Sequence, residues 1–139
     1  MASSSAPTEA CRPRRVLVVD GDANVRSALR LVLTREPGLD VVGEAVAAED
    51  LLPCVAASRP DLVVLDWDLP GLHDMELLPR VRALCPAVAI VALSPRPECR
   101  AGACVEGADA FVCKNDAPAA LLAAVRGLVG VRSPAGTPL

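Results

Sequence analysis

Apolar and polar positions along the 139-residue chain fall into two alternating patterns. Short apolar runs rich in Val and Leu occur at 15–20 (RVLVVD), 39–45 (LDVVGEA), 61–66 (DLVVLD), 87–94 (AVAIVALS) and 109–114 (DAFVCK). Between and after them lie stretches whose apolar residues recur three and four apart, at 24–36, 48–58, 75–84, 97–107 and 117–129. Spacing near 3.6 predicts helices, and continuous apolar runs predict strands buried on both faces. Strands alternating with helices imply right-handed βαβ crossovers and a parallel sheet covered on both sides. The expected fold class is α/β, a single doubly wound (βα)5 flavodoxin-like domain with a parallel five-stranded sheet in the order 2-1-3-4-5.

Some helices carry blemishes. Pro53 and Pro79 suit a helix only in its first turn, where no backbone N–H is required. Gly102 makes 97–107 a poor helix. The stretch 117–129 reads as a good one, with Asp116 as its N-cap and Pro118 in the first turn.

Four strands stay apolar until their last residue, where a functional group appears: Asp20, Asp66, Ser94 and Lys114. In an open parallel sheet, ligands bind at the carboxyl ends of the strands. With strands 1 and 3 as neighbours about 4.8 Å apart, Asp20 and Asp66 stand side by side. Two close carboxylates repel, and a divalent cation such as Mg²⁺ is the usual remedy. Strand 5 lies roughly 10 Å from strand 3, a gap that a lysine leaning inward largely covers. Ser94 offers a hydroxyl between them.

Composition narrows the picture. Hydrophobic residues make up 53% and aromatics 1%, so the core must be Val, Leu, Ala and Ile. A net charge of −3 gives no general attraction to nucleic acid or anionic membrane. Lys114 is the only lysine, and all other basic residues are arginine apart from His73. The six cysteines form no CxxC pair and have no histidine at metal spacing, so they read as small apolar residues of a reducing cytoplasm. No run has signal-peptide character or reaches the length of a membrane span. Residues 1–13 read as a disordered arm, 14–129 as the folded domain and 130–139 as a flexible tail.

Four blocks carry a specific resemblance: VLVVDGDANVRSAL, PDLVVLDWDLPG, IVALS and GADAFVCKND. In order and spacing the chain resembles the receiver domain of bacterial two-component response regulators over roughly 14–129. The ending KNDAPAALLAAVRG is most similar to the subfamily that usually carries a LuxR-type DNA-binding helix-turn-helix. The resemblance implies a phosphorelay protein, not an enzyme, in which Asp66 accepts a phosphoryl group from a sensor histidine kinase or a phosphotransfer protein. It implies Mg²⁺ held by Asp20, Asp66 and the backbone carbonyl of Asp68, Lys114 paired with the phosphoryl group, and Ser94 hydrogen-bonded to it. It also gives Phe111 the aromatic switch position, turning inward when Ser94 moves.

Bland readings stand beside these. Strand-end aspartates often serve turns or caps, and a lone Phe is commonly core. Trp67 is expected at the rim of the site, His73 as a surface loop residue, and Asp74 and Glu76 as the solvated start of a helix.

The chain departs from the family pattern in three places. Gly21 stands where a second acid is usual, so weak Mg²⁺ binding is expected. Asp22 is the candidate replacement ligand, although it also suits the N-cap of the first helix. Gly71-Leu72-His73-Asp74 lacks the family's second glycine, and Asn115 follows Lys114 where many members have proline.

About ten residues follow the last expected helix, too few for a helix-turn-helix. Output is therefore expected through protein contacts, or the chain is part of a longer regulator. The apolar fifth helix, with the fourth, suggests a homodimer or an output partner, without direct DNA or membrane binding. Two rival classes remain. Asp66-x-Asp68 resembles the acid pair of haloacid-dehalogenase-type phosphatases, but it follows the third strand here instead of the first. A degenerate receiver, binding partners without phosphorylation, is the alternative that Gly21 keeps open.

Overall fold

The computed structural model describes residues 12–116 and 118–132. Five parallel strands alternate with five helices, and the sheet order is β2-β1-β3-β4-β5. The strands are β1 (Arg14–Val19), β2 (Leu39–Ala45), β3 (Leu62–Asp66), β4 (Ala89–Ser94) and β5 (Ala110–Cys113). The helices are α1 (Ala23–Thr34), α2 (Leu51–Ser58), α3 (Leu77–Leu84), α4 (Arg100–Glu106) and α5 (Pro118–Arg132). Short 3-10 turns precede α2 and α4. The doubly wound α/β class and the strand order expected from the sequence are those observed.

Alternation along each strand divides the core in two. Leu17, Val19, Val63, Leu65, Ile90 and Phe111 face α2, α3 and α4, where they meet Leu51, Val55, Leu77, Val81 and Ala103. Val16, Val18, Leu62, Val64, Val91 and Val112 face the other way, toward Leu33 of α1 and Leu121 and Val125 of α5. Strands β3 and β4 are buried along their whole length, which explains their unbroken apolar sequence.

The blemishes resolve locally. Pro53 and Pro79 each occupy the third residue of their helix, inside the first turn. The fourth helix is short. It ends on Gly107 at φ 114°, and Ala108 N–H bonds back to the carbonyl of Ala103 at 2.9 Å.

One expectation about boundaries needs correction. The fifth helix runs to Arg132, so residues 130–132 continue the helix and are not tail. Gly130 could have closed the helix, but the backbone ladder passes through it and ends two residues before Pro134. Residues 1–11 of the arm expected over 1–13 and residues 133–139 of the expected tail, like residue 117, lie outside the described residues. No helix among the described residues is long and apolar enough to cross a membrane.

Candidate functional site

The carboxyl edge of β1, β3, β4 and β5 brings together the polar residues that end those strands. Asp66 and Ser94 are the last residues of β3 and β4, while Asp20 and Lys114 follow β1 and β5 directly. Asp20 and Ser94 are fully buried and Asp66 is 7% exposed. Lys114 crosses from β5 and places Nζ 2.8 Å from Asp20 Oδ2 and 3.2 Å from Asp66 Oδ1. Burial alone pushes the Lys114 ammonium down, but its bonds and charge contacts with Asp20 and Asp66 outweigh this and hold its pKa above the ordinary lysine value.

Backbone donors fix both carboxylates. Asp22 N–H donates to Asp20 Oδ1 at 2.9 Å, and Asp68 N–H donates to Asp66 Oδ1 at 3.0 Å. Arg26 of α1 donates to the Asp20 carbonyl at 2.8 Å and pairs with Glu44 on β2. Asp20 Oδ2 is left buried with no hydrogen bond of good direction, only the ion pair with Lys114.

Asp22 turns away from this centre. Its carboxylate caps α1, accepting from Asn24 N–H at 2.8 Å and Val25 N–H at 3.4 Å. Gly21 sits between the two acids without steric need for glycine. A Cβ added there meets only Leu69 Cδ2 and the Val46 carbonyl, both at 3.6 Å.

A second network covers the site from β4. Ser94 Oγ donates to Asp68 Oδ2 at 2.8 Å and accepts from Arg96 N–H at 3.1 Å. The Arg96 guanidinium pairs with the other oxygen, Asp68 Oδ1. Burial pushes the Asp68 carboxyl up, but hydrogen bonds from Arg96 and Ser94, with the charges of Arg96 and Lys114, outweigh it and hold its pKa below the usual carboxylate value. Lys114 N–H donates to the Ser94 carbonyl at 2.8 Å, tying the loops after β4 and β5 together.

Three aromatic-loop residues behave differently from expectation or add to it. Trp67 is buried within the core cluster instead of lying at the rim, because the residue after β3 still bonds the Leu93 carbonyl and keeps its side chain over the sheet. His73 is partly exposed, yet its ring contacts both Trp67 and Glu106. Phe111 is buried, with the Arg100 guanidinium 5.1 Å from its ring centre.

Sequence reading missed Arg26 and did not foresee the partners of Arg96 and His73. One arginine among thirteen carries no positional signal; only the path of the first turn of α1 puts Arg26 beneath Asp20.

A family model described as the response regulator receiver domain matches residues 16–126. The chain belongs to the response regulator receiver family. It is 29% identical over 115 residues to the nitrate/nitrite response regulator protein NarL of Escherichia coli K12, covering 81% of this chain and 53% of NarL. The chain thus spans about half the length of that relative. Among solved structures it is similar to a LuxR-family two-component response regulator from Aurantimonas sp. SI85-9A1, with TM-score 0.76 and 30% identity over 85% of this chain and 86% of that one. It is also similar to a chain in the structure of the P1 domain of CheA3 in complex with CheY6 from R. sphaeroides, with TM-score 0.76 and 27% identity over 86% of this chain and 98% of that one.

Receiver domains typically bind Mg²⁺ in an acidic pocket of this kind. Asp20 Oδ2, buried beside a second carboxylate without a directed hydrogen bond and met only by the Lys114 ammonium, fits a second cation. Among the described residues no three acidic, His or Cys side chains are grouped as a metal cage. Asp20 and Asp66 alone are a lean carboxylate set, which suits a divalent cation that keeps several waters.

Proposed function

We propose that this receiver domain takes a phosphoryl group on Asp66 and uses it to switch a protein-interaction surface. The observation that carries the reading is the Lys114 ammonium held between Asp20 and Asp66 at 2.8 and 3.2 Å. The donor is the phosphohistidine of a sensor histidine kinase or a phosphotransfer protein. An Asp66 carboxylate oxygen forms a bond to phosphorus as the P–N bond to the histidine breaks, and the leaving nitrogen keeps the electron pair. Asp20, Asp66 and the backbone carbonyl of Asp68 would hold Mg²⁺, which supplies positive charge against the phosphoryl oxygens. Lys114 adds a second fixed positive charge and pairs with the phosphoryl group. The backbone N–H of Asp68, donated to Asp66 Oδ1, keeps the carboxylate oriented.

Ser94 and Phe111 form the readout. To reach a phosphoryl oxygen, the Ser94 hydroxyl must give up its bond to Asp68. Motion of Ser94 would then act on Phe111, which is already turned into the core with Arg100 over its ring. The short α4 is the element most easily displaced. Output passes to a protein partner or a second copy through α4 and α5.

A second reading is favoured by one observation. Gly21 leaves the acidic pair one ligand short although space for a side chain is present. On this reading the chain is a degenerate receiver that binds its partner without phosphorylation. Incubation with acetyl phosphate and Mg²⁺, followed by intact-mass measurement, separates the two. One added phosphoryl group, absent in Asp66→Ala, is the expected result; no gain together with no Mg²⁺ binding establishes the degenerate module.

A further inference from the structure

His73 is the only histidine in the chain, and Trp67 the only tryptophan. Their rings meet edge to face, 4.7 Å between centres at 70°. His73 Nε2 lies 2.9 Å from the Trp67 carbonyl oxygen, on the residue between Asp66 and Asp68. On the other side of the ring, Nδ1 lies 3.2 Å from Glu106 Oε1, the last residue of α4.

Both neighbours are acceptors only. A carbonyl oxygen cannot donate, so Nε2 must carry a proton to bond Trp67. An ionised carboxylate cannot donate either, so Nδ1 must carry one to bond Glu106. Neutral imidazole has a single N–H. With that proton on Nε2, the Nδ1 lone pair points at a carboxylate, which is repulsive. Only the imidazolium satisfies both contacts.

We propose that His73 is a proton-set tie between the phosphoacceptor loop and α4. Protonated, it joins the peptide beside Asp66 to the end of α4; neutral, it keeps the Trp67 contact and releases Glu106. A cavity of about 340 Å³ between this loop, α3 and α4 is lined by His73, Leu72, Leu77 and two carboxylates, Glu76 and Glu106. Both acids are negative at neutral pH, and no basic side chain lines that cavity. Asp74, next to His73 in the loop, adds a third negative charge. The tie is therefore made when the ring is doubly protonated and lost when it is neutral. It is a positioning device, and it stands whether or not Asp66 takes a phosphoryl group. The side chains of His73 and Glu106 are 42% and 50% exposed, so solvent screens the pair and the effect is modest.

The single tryptophan reports the ring, and hydrogen exchange reports α4. Imidazolium in edge contact quenches indole emission, so Trp67 fluorescence should fall between pH 8 and pH 5.5, and this fall should be absent in His73→Gln. Exchange of the amides at the end of α4, corrected for intrinsic rate, should be about threefold slower at pH 5.5 than at pH 8, the size an exposed ion pair can supply. In Glu106→Gln the fluorescence change should persist, because the ring still lies on Trp67, while the pH dependence of α4 protection disappears. If α4 protection in the native chain ignores pH, or its pH dependence survives in Glu106→Gln, the tie does not exist.

Discussion

Lys114 Nζ stands 2.8 Å from Asp20 Oδ2, a contact that spans the carboxyl edge of the sheet from β5 to β1. Asp20 is fully buried and lacks a directed hydrogen bond on that oxygen, so the ammonium is what compensates its charge. Lys114→Met should cost about 3 kcal/mol in metal-free buffer, since it leaves a buried acid without its counter-ion. Urea unfolding measures the loss. Added Mg²⁺ should recover part of it, because either cation can neutralise Asp20 and Asp66.

The same ion pair sets an alkaline limit. The pKa of Lys114 is raised above its unfolded value by Asp20 and Asp66 against the opposing effect of burial. A folded pKa above the unfolded one gives stability that is complete below the unfolded value, near 10.4, and lost as pH rises through the folded value. Unfolding free energy should decline above about pH 10 in the native chain, and this limb should flatten in Lys114→Met.

Gly21 is the position where the metal question can be put directly. Its backbone is not in the left-handed region, and a Cβ there meets neighbours only at 3.6 Å. Gly21→Asp should fold normally and raise Mg²⁺ affinity about tenfold, in line with what a single supporting carboxylate contributes at metal sites. Titration calorimetry with MgCl₂ measures the gain. An unchanged affinity means that residue 21 does not face the cation.

How far the sequence carried this reading differs from element to element. The sheet order and the meeting of Asp20, Asp66, Ser94 and Lys114 were legible because four of the five strands run apolar up to a polar residue at their carboxyl end, and parallel topology puts those ends on one edge. Asp22 as a helix cap was legible from local chemistry alone. The partners of His73 were not. They depend on the course of the β3–α3 loop, where Gly71 at φ 82° and Glu76 at φ 49° turn the chain back toward α4. No periodicity encodes such turns, and Glu106 lies thirty-three residues away. The burial of Trp67 was missed for a related reason: it follows a strand whose last bonds hold it over the core.

Both oxygens of Asp68 are occupied, one by Ser94 and one by Arg96, and this gives a direction to the lifetime of a phosphoryl group on Asp66. The expectation is that this paired carboxylate and guanidinium, two residues past Asp66 and Ser94 along the chain, screen a phosphoryl group on Asp66 from attacking water. Arg96→Ala removes the outer member of the pair and leaves the Asp66–Asp68 backbone contact in place. Loss of the phosphoryl group should then be several-fold faster, a modest factor because Arg96 is largely exposed. The measurement is the intact mass against time after acetyl phosphate is removed and Mg²⁺ is held constant. The pH dependence supplies the control. The Asp68 pKa is lowered by Arg96 and Ser94 in spite of burial, so the network is intact above the unfolded value near 3.9 and dissolves as pH falls through the folded value. Asp68→Asn should remove that acid-limb loss of stability. If Arg96→Ala instead lengthens the lifetime, the pair orients the attacking water and does not exclude it.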